Sequence, residues 1–99
     1  MVLTAKDPSA RRTMTREQSR AARSWLGWWQ ADLATRANVS VNTVRNFEGG
    51  QKTPTANNLA AMRRAIEAAG IRLLFDKTGS AAGIARQDAD LDLSAEPSD

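Results

Sequence analysis

The side chains of this 99-residue chain that could do chemistry are cations, amides and hydroxyls rather than nucleophiles or metal ligands. The sequence contains 14 Lys and Arg residues but no Cys and no His, so it lacks thiolates and the commonest general base. It has no nucleophile motif and no phosphate loop, and its carboxylates lack metal-site spacing. The sequence therefore predicts a binding protein rather than an enzyme, with no cofactor and no metal.

The charges are distributed unevenly along the chain. Residues 1–86 carry 14 basic and 6 acidic side chains, a net charge of +8, whereas residues 87–99 carry 5 acidic side chains and no basic one. Such an excess on a compact domain favours an anionic partner, with nucleic acid first, although it could also serve only solubility.

Both ends of the chain are predicted to be disordered. Residues 1–14 form a basic arm without an apolar period, and residues 87–99 form an acidic tail. The arm could be inert or could add phosphate contacts.

No apolar run has the length of a membrane span, and the N-terminus lacks a signal-peptide pattern, so we expect a soluble cytoplasmic protein.

Helical patterns occupy residues 15–70. The first helix is predicted to begin after Thr15, whose spacing to Gln18 is that of a capping box, and to end at Gly27. Its apolar residues at helical spacing are expected to face the core: Ala21, Ala22, Trp25 and Leu26.

Three more helices are predicted to follow. The second helix covers residues 30–37 and is followed by Asn38 as its left-handed residue. The third covers about 41–48 and has Ser40 as its N-cap. The fourth covers 55–69 and comes after a Thr53-Pro54 start. Their expected inward residues are Leu33, Ala34 and Ala37, then Val44 and Phe47, then Leu59, Met62, Ala65, Ile66 and Ala69.

Residues 71–86 are predicted to add a short β element. The apolar segment 71–75, IRLLF, follows a glycine stop and predicts a strand, and residues 83–86 could form a weak second strand. An exposed strand edge could pair with a second copy, with Ile71, Leu73 and Phe75 as the dimerisation residues. Alternatively, the strand only covers the helical core, with residues 83–86 as its hairpin partner.

The spacing between the second and third helices is the most specific signal. In a tight helix-turn-helix that starts at Gln30, the fifth residue must be small and the ninth must adopt a positive φ. Ala34 and Asn38 occupy these positions. The positions that should be apolar hold Leu33, Ala37, Val39, Val44 and Phe47.

The segment LGWWQADLATRANVSVNTVRNFEGGQKTP resembles phage-repressor type (Cro/repressor, XRE-like) helix-turn-helix regulators, and the resemblance covers about residues 15–70. It implies a mainly α fold, a compact four- to five-helix repressor-like domain with a short C-terminal strand or hairpin. It also implies transcription regulation through sequence-specific binding of double-stranded DNA. Trp28 stands where the family often has a large apolar residue under the second helix, which implies that it is at least half buried. Asn38 replaces the family's usual glycine, and Trp29 replaces the usual Ser or Thr that caps the second helix near a DNA phosphate.

The resemblance places helix 41–48 in the major groove as the recognition helix. The residues expected to contact bases are Val41, Asn42, Arg45 and Asn46. The residues expected to contact phosphates are Trp29, Gln30, Ser40, Thr43, Lys52 and Thr53. Gln30 resembles the family glutamine that binds phosphate and braces the recognition helix. Arg23 and Glu48 resemble the family's buried or half-buried ion pair, which implies a structural role.

Two further expectations concern partners. Because half-sites are usually read by two-fold dimers, we expect a homodimer on a palindromic operator. Trp29 is expected to be exposed, against the DNA backbone or a partner protein. The alternative function is a protein-interaction module on the same scaffold, such as an antitoxin or regulatory adaptor, with Trp28 or Trp29 and residues 71–75 as its contact surface.

Overall fold

The computed structural model of the protein describes residues 12–92, in which four helices precede an antiparallel hairpin. The elements are α1 (Arg16–Leu26), α2 (Gln30–Ala37), α3 (Val41–Glu48), α4 (Ala56–Ala68), β1 (Ile71–Phe75) and β2 (Ala81–Arg86). The predicted mainly α fold with a C-terminal hairpin is confirmed. Most of the predicted basic arm and the last part of the acidic tail lie outside the described residues. Between residues 12 and 92, no helix is long and apolar enough to cross a membrane.

The helix ends follow the local signals of the sequence. Thr15 Oγ1 accepts the N–H of Gln18 at 3.2 Å, and Gln18 Oε1 accepts the N–H of Thr15 at 3.1 Å, which confirms the capping box. Gly27 (φ 70°) and Asn38 (φ 58°) are the left-handed residues that end α1 and α2. The start of α4 differs from the prediction, because Thr55, and not the Thr53-Pro54 pair, caps that helix.

The core lies where the helices meet the hairpin. The predicted inward residues of α2 and α3 are buried, and in α4 Met62 and Ile66 are buried while Leu59 and Ala65 are half-buried. The predicted N-terminal arm, residues 1–14, ends too late, because Met14 already belongs to the folded domain. Its side chain is 2% exposed and belongs to the core, because the chain just before α1 already packs against the domain.

The predicted inward face of α1 is wrong at two positions. Ala21 and Trp25 are exposed, the latter at 57%. Ala22 is buried and Leu26 packs against the core, as predicted, and the other buried residues of α1 are Gln18 and Ser19. The Gln18 Nε2 donates to the backbone carbonyls of Leu74 and Gly83, at 3.0 Å each. A polar side chain can occupy the inward position because it satisfies two carbonyls of the hairpin.

The hairpin covers the helical core, which is the second of the two roles predicted for residues 71–75. The antiparallel register pairs Ile71 with Arg86 and Leu73 with Ile84. Ile71 is 1% and Leu73 6% exposed, so both side chains pack into their own subunit, and pairing of β1 with a second copy stays a prediction. Phe75, the third predicted dimer contact, is half-buried against the same core.

Candidate nucleic-acid interface

Helix α3 presents a polar side to solvent because its apolar residues are anchored in the core. Val44 is fully buried and Phe47 is 8% exposed. The four residues predicted to contact bases share one side of the helix, since an α-helix has 3.6 residues per turn. Asn42 and Arg45 are exposed, and Val41 and Asn46 are half-buried. The Arg45 guanidinium donates to Asn42 Oδ1, so these two side chains already lie together.

The start of α3 is held by two hydroxyl groups that were predicted to contact phosphate. Ser40 Oγ accepts the N–H of Thr43 at 3.0 Å and lies 2.9 Å from Thr43 Oγ1. The cap confirms the predicted N-cap role of Ser40 and fixes the first turn of the helix. Both hydroxyl groups stay at the helix N-terminus, where the backbone favours an anion.

A shallow polar concavity of about 190 Å³ lies between α3 and the N-terminus of α4. Its lining includes Asn42, Thr43, Asn46, Lys52, Thr53 and Asn58. The backbone N–H groups of Gln51 and Lys52 donate to Asn46 O at 2.9 and 3.2 Å, which holds the loop against the end of α3. Lys52 and Thr53 are therefore exposed beside the polar side of α3.

The N-terminus of α2 carries an exposed aromatic ring in place of a capping hydroxyl. Trp29 is the N-cap residue and is 77% exposed, as predicted. An indole has no acceptor oxygen, so it cannot cap the helix with its side chain. Asp32 Oδ2 accepts the Trp29 backbone N–H at 2.7 Å and supplies the reciprocal half of a capping box. Trp28 is half-buried, as predicted, with the Arg36 guanidinium 4.5 Å from its ring centre.

Three helices meet at one buried carboxylate, and we call the residues Ser19, Arg23, Gln30 and Glu48 the Glu48 cluster. Glu48 is 2% exposed. Arg23 forms the ion pair with an N–O distance of 2.6 Å, and Ser19 Oγ donates to the other carboxylate oxygen at 2.6 Å. Gln30 Nε2 donates at 3.3 Å. The cluster thereby ties α1 and α2 to the C-terminal end of α3.

The electrostatics of the Glu48 cluster keep this carboxylate ionised at neutral pH. Burial alone raises the pKa of Glu48, but the hydrogen bonds from Arg23, Ser19 and Gln30 outweigh it and hold the pKa below its ordinary value. Arg23 compensates the negative charge inside the fold. The only acidic residue of α3 therefore adds no negative charge to the solvent-facing side of the helix.

The structure brings together the sequence-predicted site residues of α3 and the following loop, and it places Trp29 and Gln30 at the start of α2. Sequence reasoning missed Ser19 as a partner of Glu48. A serine inside a helix gives no local signal for a contact 29 residues away. It also missed that Arg20 donates to the backbone carbonyl of Glu48, where α3 ends.

The comparison with protein families agrees with this geometry. A helix-turn-helix family model matches residues 20–69, which include the whole of α2 and α3. No curated protein matches the chain closely enough to count as a relative. The match covers about half of the chain, and the chain belongs to the XRE-type helix-turn-helix family of DNA-binding regulators.

Proposed function

We propose that the chain is a sequence-specific transcriptional regulator that binds double-stranded DNA with α3 in the major groove, without catalytic activity. Family membership supports DNA binding in general. The finer proposal is carried by the charge of α3: its exposed side holds amides and Arg45, while Glu48 is buried and paired with Arg23. The negatively charged DNA thus meets no repelling negative charge on the exposed side of this helix.

Base recognition is assigned to Val41, Asn42, Arg45 and Asn46. An Asn amide matches the N6 and N7 groups of adenine, and an Arg guanidinium matches O6 and N7 of guanine. The contact between Arg45 and Asn42 holds both groups on one side of α3 in the free protein. On DNA, this contact would give way to contacts with base edges. Val41 can contact a thymine methyl group.

Phosphate binding is assigned to groups on both sides of α3: Trp29, Gln30, Ser40, Thr43, Lys52 and Thr53. The Trp29 indole N–H can donate to a phosphate oxygen, and its exposed ring can pack on the adjacent sugar. The Gln30 amide holds Glu48 with one donor and has a second donor for phosphate. These contacts would set the orientation of the protein without reading sequence.

We further propose that two copies bind a palindromic operator, at the nucleoid in the cytoplasm. A single small module buries a limited interface on DNA, and a two-fold dimer doubles both the contacts and the length of the site. No cofactor is required for this function.

Selection of bound sequences from random duplex DNA, followed by titration at several salt concentrations, tests the proposal. We expect a palindrome with half-sites about one helical turn apart and an affinity that falls steeply as salt rises. If no duplex is preferred over bulk DNA by at least about ten-fold, sequence-specific regulation is refuted. A chain that binds no duplex and copurifies with a protein would be an antitoxin or adaptor instead.

Two variants test the assignment of α3. Asn42→Ala and Arg45→Ala should each weaken binding to the selected site by about 5- to 150-fold, because a good bidentate contact is worth about 1–3 kcal/mol. Arg64→Ala is the matched control, since it removes an exposed arginine from α4. Circular dichroism should show that all three variants fold. Wild-type affinity in both α3 variants would contradict this orientation of the recognition helix.

A further inference from the structure

Two large apolar side chains are exposed in the described part of the chain, and only one of them belongs to the proposed DNA interface. Trp29, at the start of α2, lies beside Gln30. Trp25 is 57% exposed near the end of α1 and lines a separate groove of about 430 Å³. None of the residues assigned to DNA lines that groove. The proposed function therefore leaves Trp25 without a role.

The groove has an apolar floor and a charged rim. Its floor is formed by Trp25, Leu26, Ala69, Gly70 and Ile71, where the end of α1 meets the α4–β1 turn. Its rim is formed by the end of β2 and the residues that follow it. There Arg86 Nε lies 3.5 Å from Asp88 Oδ1, and their side chains are 66% and 86% exposed.

We propose that this surface, the Trp25 surface (Trp25, Leu26, Arg86 and Asp88), binds a second copy of the same chain across a two-fold axis. A two-fold interface brings identical patches together, so the patch must complement itself. The Trp25 surface does so, because each copy offers an aromatic centre with one cation and one anion at its rim. Arg86 of one copy then faces the partner's Asp88, and the same pair forms again across the axis.

The inference deepens the proposed function, because it names the surface that would form the two-fold dimer. The buried side chains of Ile71 and Leu73 have almost no surface left for a partner. A buried aromatic side chain covers about 150–250 Å², and because Trp25 is 57% exposed, two copies of it supply about a tenth to a sixth of a standard interface of about 1,600 Å². Tryptophan at the centre of a patch, surrounded by a polar rim, is the usual composition of a binding hot spot.

The first experiment measures the dimer dissociation constant of the full chain by analytical ultracentrifugation without DNA. Trp25→Ala should raise this constant at least about 30-fold, the effect of losing one hot-spot side chain. Trp29→Ala is the matched control, because it removes the other exposed tryptophan, and it should leave the constant unchanged. A wild-type monomer at all micromolar concentrations, or equal effects of the two substitutions, would overturn the proposal.

The second experiment exchanges the charges at the rim. Arg86→Asp makes the rim wholly acidic and Asp88→Arg makes it wholly basic, so each variant should dimerise more weakly than the wild type with itself. Mixed together, the two variants should form a heterodimer in preference to either homodimer. A defect in folding cannot produce this recovery, and an absence of preference in the mixture would contradict the rim pairing.

The outcomes separate this inference from the proposed function. A chain that dimerises through Trp25 but binds no duplex refutes the DNA-binding proposal and leaves the dimer surface standing. A full chain that binds single half-sites but stays monomeric refutes the dimer surface and leaves DNA binding standing. The conclusion is the same if a chain shortened by residues 93–99 is also monomeric. Binding of a different protein through Trp25 by a monomeric chain would also refute the two-fold interface.

Discussion

Substituting Glu48 by glutamine should destabilise the fold strongly although it changes almost no volume. One carboxylate oxygen becomes an amide NH2 group, which cannot accept a hydrogen bond, so either the bond from Ser19 or the bond from Arg23 Nη2 is lost. The Arg23 guanidinium would then lie only 18% exposed without its counter-charge. Breaking a buried ion pair costs about 3–5 kcal/mol, and the partial exposure of Arg23 favours the lower end. We therefore expect a loss of about 3 kcal/mol in the free energy of unfolding.

The loss is measured by urea unfolding followed by circular dichroism, with Glu67→Gln as the control. Glu67 also pairs with an arginine, Arg63, at 2.9 Å, but both side chains are about one-third exposed. A pair of that kind contributes about 0–1 kcal/mol. Both substitutions remove one negative charge, so the net charge of the two variants is the same. In thermal unfolding, the melting temperature of Glu48→Gln should lie about 12–24 °C below that of the wild type.

Two results would refute this reasoning. If Glu48→Gln and Glu67→Gln lower the free energy of unfolding equally, burial adds nothing to the Glu48 cluster. The second result comes from a double-mutant cycle with Arg23→Met, which isolates the coupling between the two side chains. A coupling energy near zero would show that Glu48→Gln destabilises the fold through something other than the ion pair.

Three further predictions follow from the same structure. The pKa of Glu48 is lowered in the folded protein. The ionised carboxylate therefore contributes its full stability above the unfolded-state pKa near 4.5, and this contribution is lost as the pH falls through the lower folded-state pKa. The urea midpoint of the wild type should fall more on acidification than the urea midpoint of Glu48→Gln. Asn38 has a positive φ of 58°, so Asn38→Ala should cost about 1–2 kcal/mol in urea unfolding while Asn38→Gly is nearly neutral. Trp29→Ser should raise the free energy of unfolding by up to about 1 kcal/mol, because the hydroxyl caps α2, and should weaken DNA binding in the salt titration; a clear loss of stability would mean that the ring packs against the fold.

Local signals made the helix ends predictable from the sequence. The capping box at Thr15, the serine cap at Ser40 and the left-handed Asn38 each depend on residues within one turn. The helix-turn-helix spacing was predictable for a related reason. Tight packing between two consecutive helices constrains residue size at fixed positions, as at Ala34.

The face of α1 was not predictable, because its burial depends on contacts distant in the sequence. Apolar spacing placed Ala21 and Trp25 inward, but the hydrogen bonds of Gln18 to the hairpin carbonyls and of Ser19 to Glu48 rotate the buried face, which keeps Ala22 and leaves Ala21 and Trp25 in solvent. A rule that counts only apolar residues cannot find a buried polar residue whose partner lies 56 residues further along the chain.

The candidate site was predictable only as a set of residues. Their types and spacing indicated which side chains α3 exposes, and the resemblance indicated the pairing of Arg23 with Glu48. The contact between Arg45 and Asn42 could not be predicted, because it depends on side-chain conformations. The convergence of three helices on one carboxylate depends on how the helices cross.

Charge explains why self-association would use a surface separate from the DNA interface. Residues 1–86 carry a net charge of +8, so two copies that approach through their basic sides repel each other. The Trp25 surface carries one cation and one anion, Arg86 and Asp88, and is locally neutral. Two copies that meet there would leave the polar sides of both α3 helices free, because no residue of α3 lines that groove. The same DNA that attracts each copy would then offset the repulsion that remains between their basic sides, so operator binding and dimerisation would favour each other.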